Sequence, residues 1–226
     1  MADLNFSWSH SRLNQYETCP FRYYKTRVAK DIVEPETEAM LWGNAVHKAL
    51  EDNIEGRANL PAECSQYQPV MDSIARIPGN FQAERKFAVN RKLQPTEFDS
   101  SDAWCRCITD VFVENTPLAI AMDWKTGKVK YDFEQLKINA LMIFAHYPEI
   151  TNVKVAYIWL KFKQVTKNEF TRAGPGALTW DKYITATSFM ENSYRNNFWP
   201  KRKSGLCKNW CPVTSCEHNG GYRGNT

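Results

Sequence analysis

The stretch from Ile108 to Lys128, ITDVFVENTPLAIAMDWKTGK, constrains the fold of this chain more than any other. Two apolar runs flank Glu-Asn-Thr-Pro, whose Asn and Pro favour a turn, so the stretch predicts a β-hairpin. Asp110 nevertheless lies inside the first run, and Asp-Trp-Lys ends the second. An unpaired buried charge costs several kcal/mol, so these charges need a partner.

The alternation of side chains along a strand places Asp123 and Lys125 on one face. In a register that pairs Val113 with Leu118, Asp110 and Asp123 become diagonal neighbours on that face. Two carboxylates this close repel each other unless a cation lies between them, and oxygen ligands suit Mg²⁺ or Mn²⁺. The hairpin alone therefore predicts either a divalent-metal site or a solvent-facing strand edge with an Asp–Lys pair.

A long helix precedes the hairpin. The pattern predicts it from Glu36 to Ile54, ended by Gly56, with Gly43, His47 and Glu51 on one face at i, i+4 and i+8. The glycine would let the sheet backbone approach closely. The histidine offers a nitrogen ligand beside the aspartates, although a lone helical histidine is also compatible with a structural role.

The remaining pattern predicts a mixed sheet flanked by helices, in the order α–β–β–β–α–β–α. This is an α/β or α+β fold in one domain spanning residues 1–226. With 43% hydrophobic and 13% aromatic residues the chain can bury a core. The segment from Asn152 to Val165, rich in β-branched and aromatic residues, predicts one long strand.

Together these features resemble the PD-(D/E)XK nuclease superfamily, in particular the RecB-type branch with the CRISPR-associated exonucleases and the AddB nuclease domain. That branch carries G-x-x-x-H on its first helix, an Asp ending a strand, then (D/E)-x-K and a Q-x-x-x-Y helix. The matching residues are Gly43 and His47, Asp110, Asp123 with Lys125, and Gln135. The opening SHSRLNQYETCPFRYYK is also similar to this branch. The chain departs from the pattern at two places. Asn139 stands where the family has tyrosine, and CRCITD lacks the glycine that the family commonly has shortly before the Asp.

The resemblance implies a restriction-endonuclease-like core and a metal-dependent active site. His47, Asp110, Asp123 and the carbonyl of Trp124 would hold Mg²⁺ or Mn²⁺. Lys125 would orient the attacking water, and Gln135 would lie near the substrate. Glu84, in AERKF, resembles the glutamate on the strand before the motif, and it is either an outer group of the site or a surface residue.

Cysteines near the two ends of the chain predict a second centre, in a small subregion of residues 1–30 and 200–220. The resemblance implies a [4Fe–4S] cluster, which needs four thiolates. Its ligands would be Cys19, Cys207, Cys211 and Cys216. The tail spacing is C-x3-C-x4-C, where the family usually has C-x2-C-x5-C. Zinc bound by the three tail cysteines with Cys19 or His218 remains an alternative, as does a site without metal.

These features predict a metal-dependent deoxyribonuclease, most simply an exonuclease of DNA recombination, repair or phage DNA metabolism. The alternative is a DNA-binding or assembly factor with the same fold that does not cut. The charge balance, 29 − 25 = +4, is only mildly basic, but basic stretches recur along the chain. No signal peptide or membrane span is predicted, so the expected location is the cytoplasm, or the host cytoplasm if a phage encodes the protein.

Overall fold

Six strands form one mixed sheet in the computed structural model, which describes residues 6–221. In chain order they are β1 (Asn80–Val89), β2 (Pro95–Thr96), β3 (Cys105–Asn115), β4 (Leu118–Lys125), β5 (Asn152–Trp159) and β6 (Gln164–Thr171). Their order in the sheet is β2-β1-β3-β4-β5-β6, with β4 and β5 parallel and the other neighbours antiparallel. The predicted fold class, a mixed sheet with flanking helices, is confirmed.

The described residues include six α-helices. They are α1 (His10–Thr18), α2 (Pro20–Tyr23), α3 (Glu38–Ile54), α4 (Gln68–Ala75), α5 (Glu134–His146) and α6 (Asp181–Asn196). The Ser9 side chain caps α1, and α3 begins two residues later than predicted because the Thr37 side chain caps it. Between residues 6 and 221, no helix has the length and apolar character needed to cross a bilayer.

The chain divides into two compact units. Of the described residues, unit 1 contains 6–36 and 180–221, and unit 2 contains 37–179. The predicted cysteine subregion lies within unit 1, and the whole sheet lies within unit 2. A single domain over residues 1–226 stays a prediction.

The core of unit 2 lies between the sheet and the helices α3 and α4. Its buried residues include Val46, Leu50, Met71, Ile74, Val111, Val113, Met122, Trp124, Ala156 and Ile158. The helix α5 is itself buried almost all round, from Leu136 to Phe144. A helix that is apolar on every side belongs in the interior, so α5 is held firmly, and its first turn carries Gln135 to the site described below.

The prediction of one long strand from Asn152 to Val165 is wrong. The strand ends at Trp159, a 3₁₀ turn follows over Leu160–Phe162, and β6 returns antiparallel from Gln164. The reversal places Lys163 in the left-handed region with φ 50°. Such turns normally use Gly, Asn or Asp, so the lysine gave no signal in the sequence.

The predicted hairpin is present, but its register differs by two residues. Asn115 pairs with Leu118 across a two-residue turn, so Val113 pairs with Ile120 rather than with Leu118. A shift of two keeps every side chain on its predicted face, because the alternation has a period of two. The shorter turn makes Asp110 face Asp123 directly in register instead of diagonally.

The strands β3 and β4 part at the two aspartates. Their pairing ends at Val111 and Met122, one residue before Asp110 and Asp123. From there β3 continues along β1 as far as Cys105, whereas β4 continues along β5 as far as Lys125. The sheet therefore opens between these strands at the point where the charged residues begin.

Candidate functional site

Three potential metal ligands meet beside this opening. A ring nitrogen of His47 and carboxylate oxygens of Glu84 and Asp110 all lie within 4.8 Å of one another. The closest measured pair is Nδ1 of His47 and Oδ2 of Asp110, at 3.4 Å. The helix α3 and the strands β1 and β3 thus each contribute one group to a single cluster in unit 2.

Glu84 reaches the cluster through an unusual backbone conformation. It lies in the middle of β1, opposite Asp110 in register, with φ 47°. A left-handed residue other than glycine costs about 1–2 kcal/mol, and inside a strand it interrupts the regular alternation of side chains. Of the two interpretations left open from the sequence, the structure supports a member of the site rather than a surface residue.

Asp110 is held by the neighbouring strand. Its Oδ2 accepts a hydrogen bond from the backbone N–H of Trp124 at 2.8 Å. Burial raises the pKa of this carboxyl well above its usual value, and the charge of Asp123 raises it further, while the Trp124 N–H acts in the opposite direction. Burial likewise raises the pKa of Glu84, with Glu51 and Asp123 adding to the effect.

Gln135 links Asp123 to Lys125. Its Nε2 donates to Asp123 Oδ1, and its Oε1 accepts from Lys125 Nζ at 3.0 Å. The same ammonium lies 2.6 Å from Asp123 Oδ2. That oxygen is buried, and among the described residues no donor meets hydrogen-bond geometry toward it. The predicted glutamine thus positions the Asp-x-Lys pair from the first turn of α5.

Tyr157 belongs to this group although no sequence motif indicated it. It lies on β5 directly beside Asp123 in the parallel register, and the Lys125 ammonium lies 5.1 Å from its ring centroid. Phe133 stacks on the other side at 5.9 Å between ring centroids. The ring therefore confines Lys125 by a cation–π contact. Only strand pairing brings this residue to the site, so sequence spacing could not reveal it.

The helix α3 supplies His47 and approaches the end of β4 closely. A Cβ on Gly43 would lie 3.3 Å from Oγ1 of Thr126, a tight contact. The close approach is therefore to the Thr126 side chain rather than to the sheet backbone. Burial lowers the pKa of His47, partly opposed by the charge of Asp123 and by a hydrogen bond with the Trp124 backbone. A neutral imidazole is the form that can bind a metal.

The donor set fits a hard divalent cation. Ligands on opposite sides of Mg²⁺ are about 4 Å apart, and the His47, Glu84 and Asp110 ligand atoms all lie within 4.8 Å of one another. Crowded buried carboxylates with raised pKa values, and the buried Asp123 Oδ2, are groups that a cation would neutralise. The assignment of the Trp124 carbonyl as a further ligand stays a prediction.

Asn139 occupies the position where the family pattern has tyrosine. It lies one turn after Gln135 on α5 and is only 1% exposed. Within the described residues neither atom of its amide has a hydrogen-bond partner. A side chain this deeply buried is not available for a DNA contact.

The four predicted cysteines of unit 1 line one cavity. Cys19 lies at the junction of α1 and α2, and Cys207, Cys211 and Cys216 come from the tail. Arg22 and Arg202 also line it. None of the four cysteines is in a disulfide.

Asn219 holds the tail cysteines in place. Its Nδ2 donates to the carbonyl of Cys211 at 2.8 Å, and its backbone N–H donates to that of Cys216 at 2.8 Å. The next residue, Gly220, donates its N–H to the carbonyl of Cys207 at 2.9 Å. A side chain at Gly220 would collide with the Lys208 backbone, so a glycine is required there.

No three of the described thiols of this cavity lie within 4.8 Å of one another. Tetrahedral Zn–S bonds of about 2.3 Å place two sulfurs about 3.8 Å apart. Among residues 6–221, the His47, Glu84 and Asp110 group is the only set of three potential ligands within 4.8 Å. His218 does not line the cavity, and its backbone hydrogen-bonds Cys216.

Comparisons with known proteins bear on the family and the fold of this chain. A model of the PD-(D/E)XK nuclease superfamily matches residues 7–216. A crystal structure of a candidate exonuclease from Eubacterium rectale is similar in fold, with a TM-score of 0.50 at 12% identity, over 92% of this chain and 87% of that one. The crystal structure of SSO0001 gives a TM-score of 0.43 at 12% identity, over 85% and 79%. No curated protein matches in sequence.

Proposed function

Because the chain belongs to the PD-(D/E)XK nuclease superfamily, we propose that it is a divalent-metal-dependent deoxyribonuclease that acts as an exonuclease. The observation that carries this proposal is the junction of two groups at the opening between β3 and β4. One is the His47, Glu84 and Asp110 cluster, and the other is the Asp123 and Lys125 pair linked by Gln135.

The cation would be Mg²⁺ or Mn²⁺, held by His47, Asp110 and Asp123, with Glu84 beside them and the Trp124 carbonyl as a further ligand. When bound, it would supply Lewis-acid stabilisation of the charge that develops on a phosphodiester. The nitrogen and carboxylate donors of the cluster support this assignment.

Lys125 has two roles in the proposed reaction. Hydrolysis forms a bond from a water oxygen to phosphorus and breaks the bond to the leaving oxygen. The Lys125 ammonium orients that water and places positive charge beside the phosphate. Gln135 and the Tyr157 ring hold the ammonium in place, as their contacts with it at 3.0 Å and 5.1 Å indicate.

Exonuclease action rests on the resemblance to the RecB-type branch, and the description of the E. rectale protein agrees with it. DNA is the proposed partner, and DNA recombination, repair or phage DNA metabolism the proposed context. The rival function is a DNA-binding or assembly factor that does not cut. The occupied motif positions at Asp110, Asp123 and Lys125 favour the enzyme.

Cleavage of end-labelled DNA tests the proposal. Single- and double-stranded substrates labelled at either end are incubated with Mg²⁺ or Mn²⁺ and the wild type, Asp123→Ala or Lys125→Ala. We expect the wild type to release short products from one end, and Lys125→Ala to lower the rate about 10²–10³-fold. The exposed Asp99→Ala is the matched control and should match the wild type. A wild type that cuts nothing with either ion would leave the non-cutting rival.

For unit 1, we propose that Cys19, Cys207, Cys211 and Cys216 hold a [4Fe–4S] cluster. Their common cavity supports a bound group that needs four thiolates. The absence of a tight three-ligand group among the described residues of this unit favours a cluster over a single zinc ion.

A further inference from the structure

Two surface segments of unit 2 meet beside the active site and form a lysine–aromatic surface, defined by Lys128, Lys130, Tyr131, Lys161, Phe162 and Lys163. We propose that this surface binds an unpaired segment of the DNA substrate, so that the enzyme acts on single-stranded ends. The inference rests on the proposed nuclease function and specifies its substrate class.

Tyr131 joins the two segments. It lies in the loop between β4 and α5, and its hydroxyl accepts a hydrogen bond from Nε2 of Gln164 at 3.4 Å. Gln164 begins β6, directly after the Lys161–Lys163 turn. The first segment precedes α5 and the second follows β5, so the fold rather than the sequence brings them together.

The surface is connected to Lys125. In the sheet, Lys125 pairs with Trp159, and Trp159 pairs with Gln164. Two strand spacings separate Lys125 from Gln164, which is about 10 Å. Packing links the same positions, since Lys125 lies over the Tyr157 ring and Tyr157 contacts Trp159 at 5.5 Å between centroids. A single DNA strand that lies on this surface would thus reach the proposed site within a few nucleotides.

Its charge suits a polyanion. Lys128, Lys130, Lys161 and Lys163 are all exposed, and none of them makes an ion pair with any described residue. Asp132 is the adjacent acidic residue, so the local balance is 4 − 1 = +3. Unpaired lysines beside a nucleic-acid site are the groups that neutralise phosphates.

Its aromatic residues point to unpaired bases. Tyr131 is 76% exposed and Phe162 is 48% exposed. Isolated exposed apolar residues are common on protein surfaces, but here each aromatic is adjacent in sequence to lysines. Exposed rings next to cationic side chains form a platform on which the bases of a single strand can stack. Bases in a duplex already stack on one another, so they gain little from such rings.

Binding measured without metal ions tests the inference separately from cleavage. Fluorescence anisotropy in EDTA would compare a labelled oligothymidine of about 20 nucleotides, longer than a typical single-strand site, with a duplex of equal length. We expect the wild type to bind the single strand more tightly. Tyr131→Ala and Phe162→Ala should each weaken that binding about 5- to 150-fold, the range that corresponds to one lost base-stacking contact.

Matched controls lie on the same strand as Gln164 but face the other way. Val165 is 43% exposed and pairs with the core residue Ile158, so Val165→Ala should bind like the wild type. Tyr131→Phe keeps the ring and should also retain binding. Lys163→Gln should lessen the slope of log affinity against log salt by about 0.7, whereas Lys167→Gln, opposite Ala156, should not.

Tighter duplex binding, or equal losses in Val165→Ala and Phe162→Ala, would overturn the inference. Ring-dependent binding to the single strand by a protein that cuts nothing with Mg²⁺ or Mn²⁺ would refute the nuclease while supporting the surface. If the wild type cuts DNA but Tyr131→Ala and Phe162→Ala bind the single strand normally, the nuclease is supported and the surface is refuted.

Discussion

Asp110 illustrates the conflict between stability and chemistry at single residues. It is 9% exposed and lies near Asp123 and Glu84, both acidic. The hydrogen bond from the Trp124 N–H compensates part of the unfavourable burial of its charge. Such groups are expected where a ligand, rather than the protein, completes the neutralisation.

We therefore predict that Asp110→Asn stabilises the metal-free protein. The amide keeps an acceptor for Trp124 but removes one of three crowded acidic groups. Because one crowded acidic charge is removed, the free energy of unfolding should rise by about 1 kcal/mol, the usual scale of a single substitution, in urea unfolding at neutral pH with EDTA. Mn²⁺ should stabilise the wild type and have little effect on Asp110→Asn. The control is Asp99→Asn, and a variant less stable than the wild type in EDTA would contradict the argument.

At the scale of elements, hydrogen-bonded tyrosines join α2 to α6 in unit 1. The hydroxyls of Tyr23 and Tyr194 are 2.8 Å apart, and Trp199 packs against both rings. Burial raises the pKa of Tyr23, and the hydrogen bond that its hydroxyl donates to Tyr194 adds to this effect. The folded protein therefore keeps Tyr23 protonated at pH values where the unfolded chain would lose the proton.

This shift predicts a loss of stability at alkaline pH. A tyrosine whose folded pKa is raised contributes its full stability below the unfolded pKa of about 10, and the contribution falls as pH rises above it, by about 1.4 kcal/mol per pH unit. Urea unfolding between about pH 8 and pH 11 should show this decline in the wild type and a smaller one in Tyr23→Phe. At the lower pH, Tyr23→Phe should be less stable by about 1 kcal/mol for the lost hydrogen bond. Equal slopes in wild type and variant would refute the assignment, and Tyr131→Phe is the exposed control.

At the scale of the whole molecule, each of the two units carries its own candidate site. The carboxylate site lies within residues 37–179, and the cysteine cavity lies within residues 6–36 and 180–221. The cavity joins the two ends of the described chain, because Cys19 precedes the sheet and the other cysteines follow α6. A group bound there would close a loop of most of the protein, which opposes unfolding.

We predict that protein purified without oxygen is brown and contains iron and sulfide. Cys211→Ser should lose the colour and the iron, because a [4Fe–4S] cluster needs all four thiolates, and its melting temperature should fall. Cys64→Ala, which removes a buried thiol of unit 2, should keep both the colour and the iron. Colourless wild type that contains zinc would refute the cluster and favour the alternative.

Local pattern was enough to identify most residues of the candidate site. Spacing within helices and strands selected His47, Asp110, Asp123 and Lys125, and the family resemblance added Gln135. The structure brings all five to the opening of the sheet. Helix and strand periodicity depends on neighbours only a few residues away, so it can be read from the sequence. The fold class follows from the order of these elements for the same reason.

Tertiary structure alone decided the remaining features. The left-handed backbone of Glu84, the turn at Lys163 and the place of Tyr157 beside Asp123 have no local signal. The hairpin register likewise depended on how tightly the chain turns between Asn115 and Leu118. Strand pairing between residues far apart in the chain places Glu84 and Tyr157, and local preference does not encode such pairing. The sequence by itself therefore determined which groups could do the chemistry, and the packing of the sheet decided how they meet.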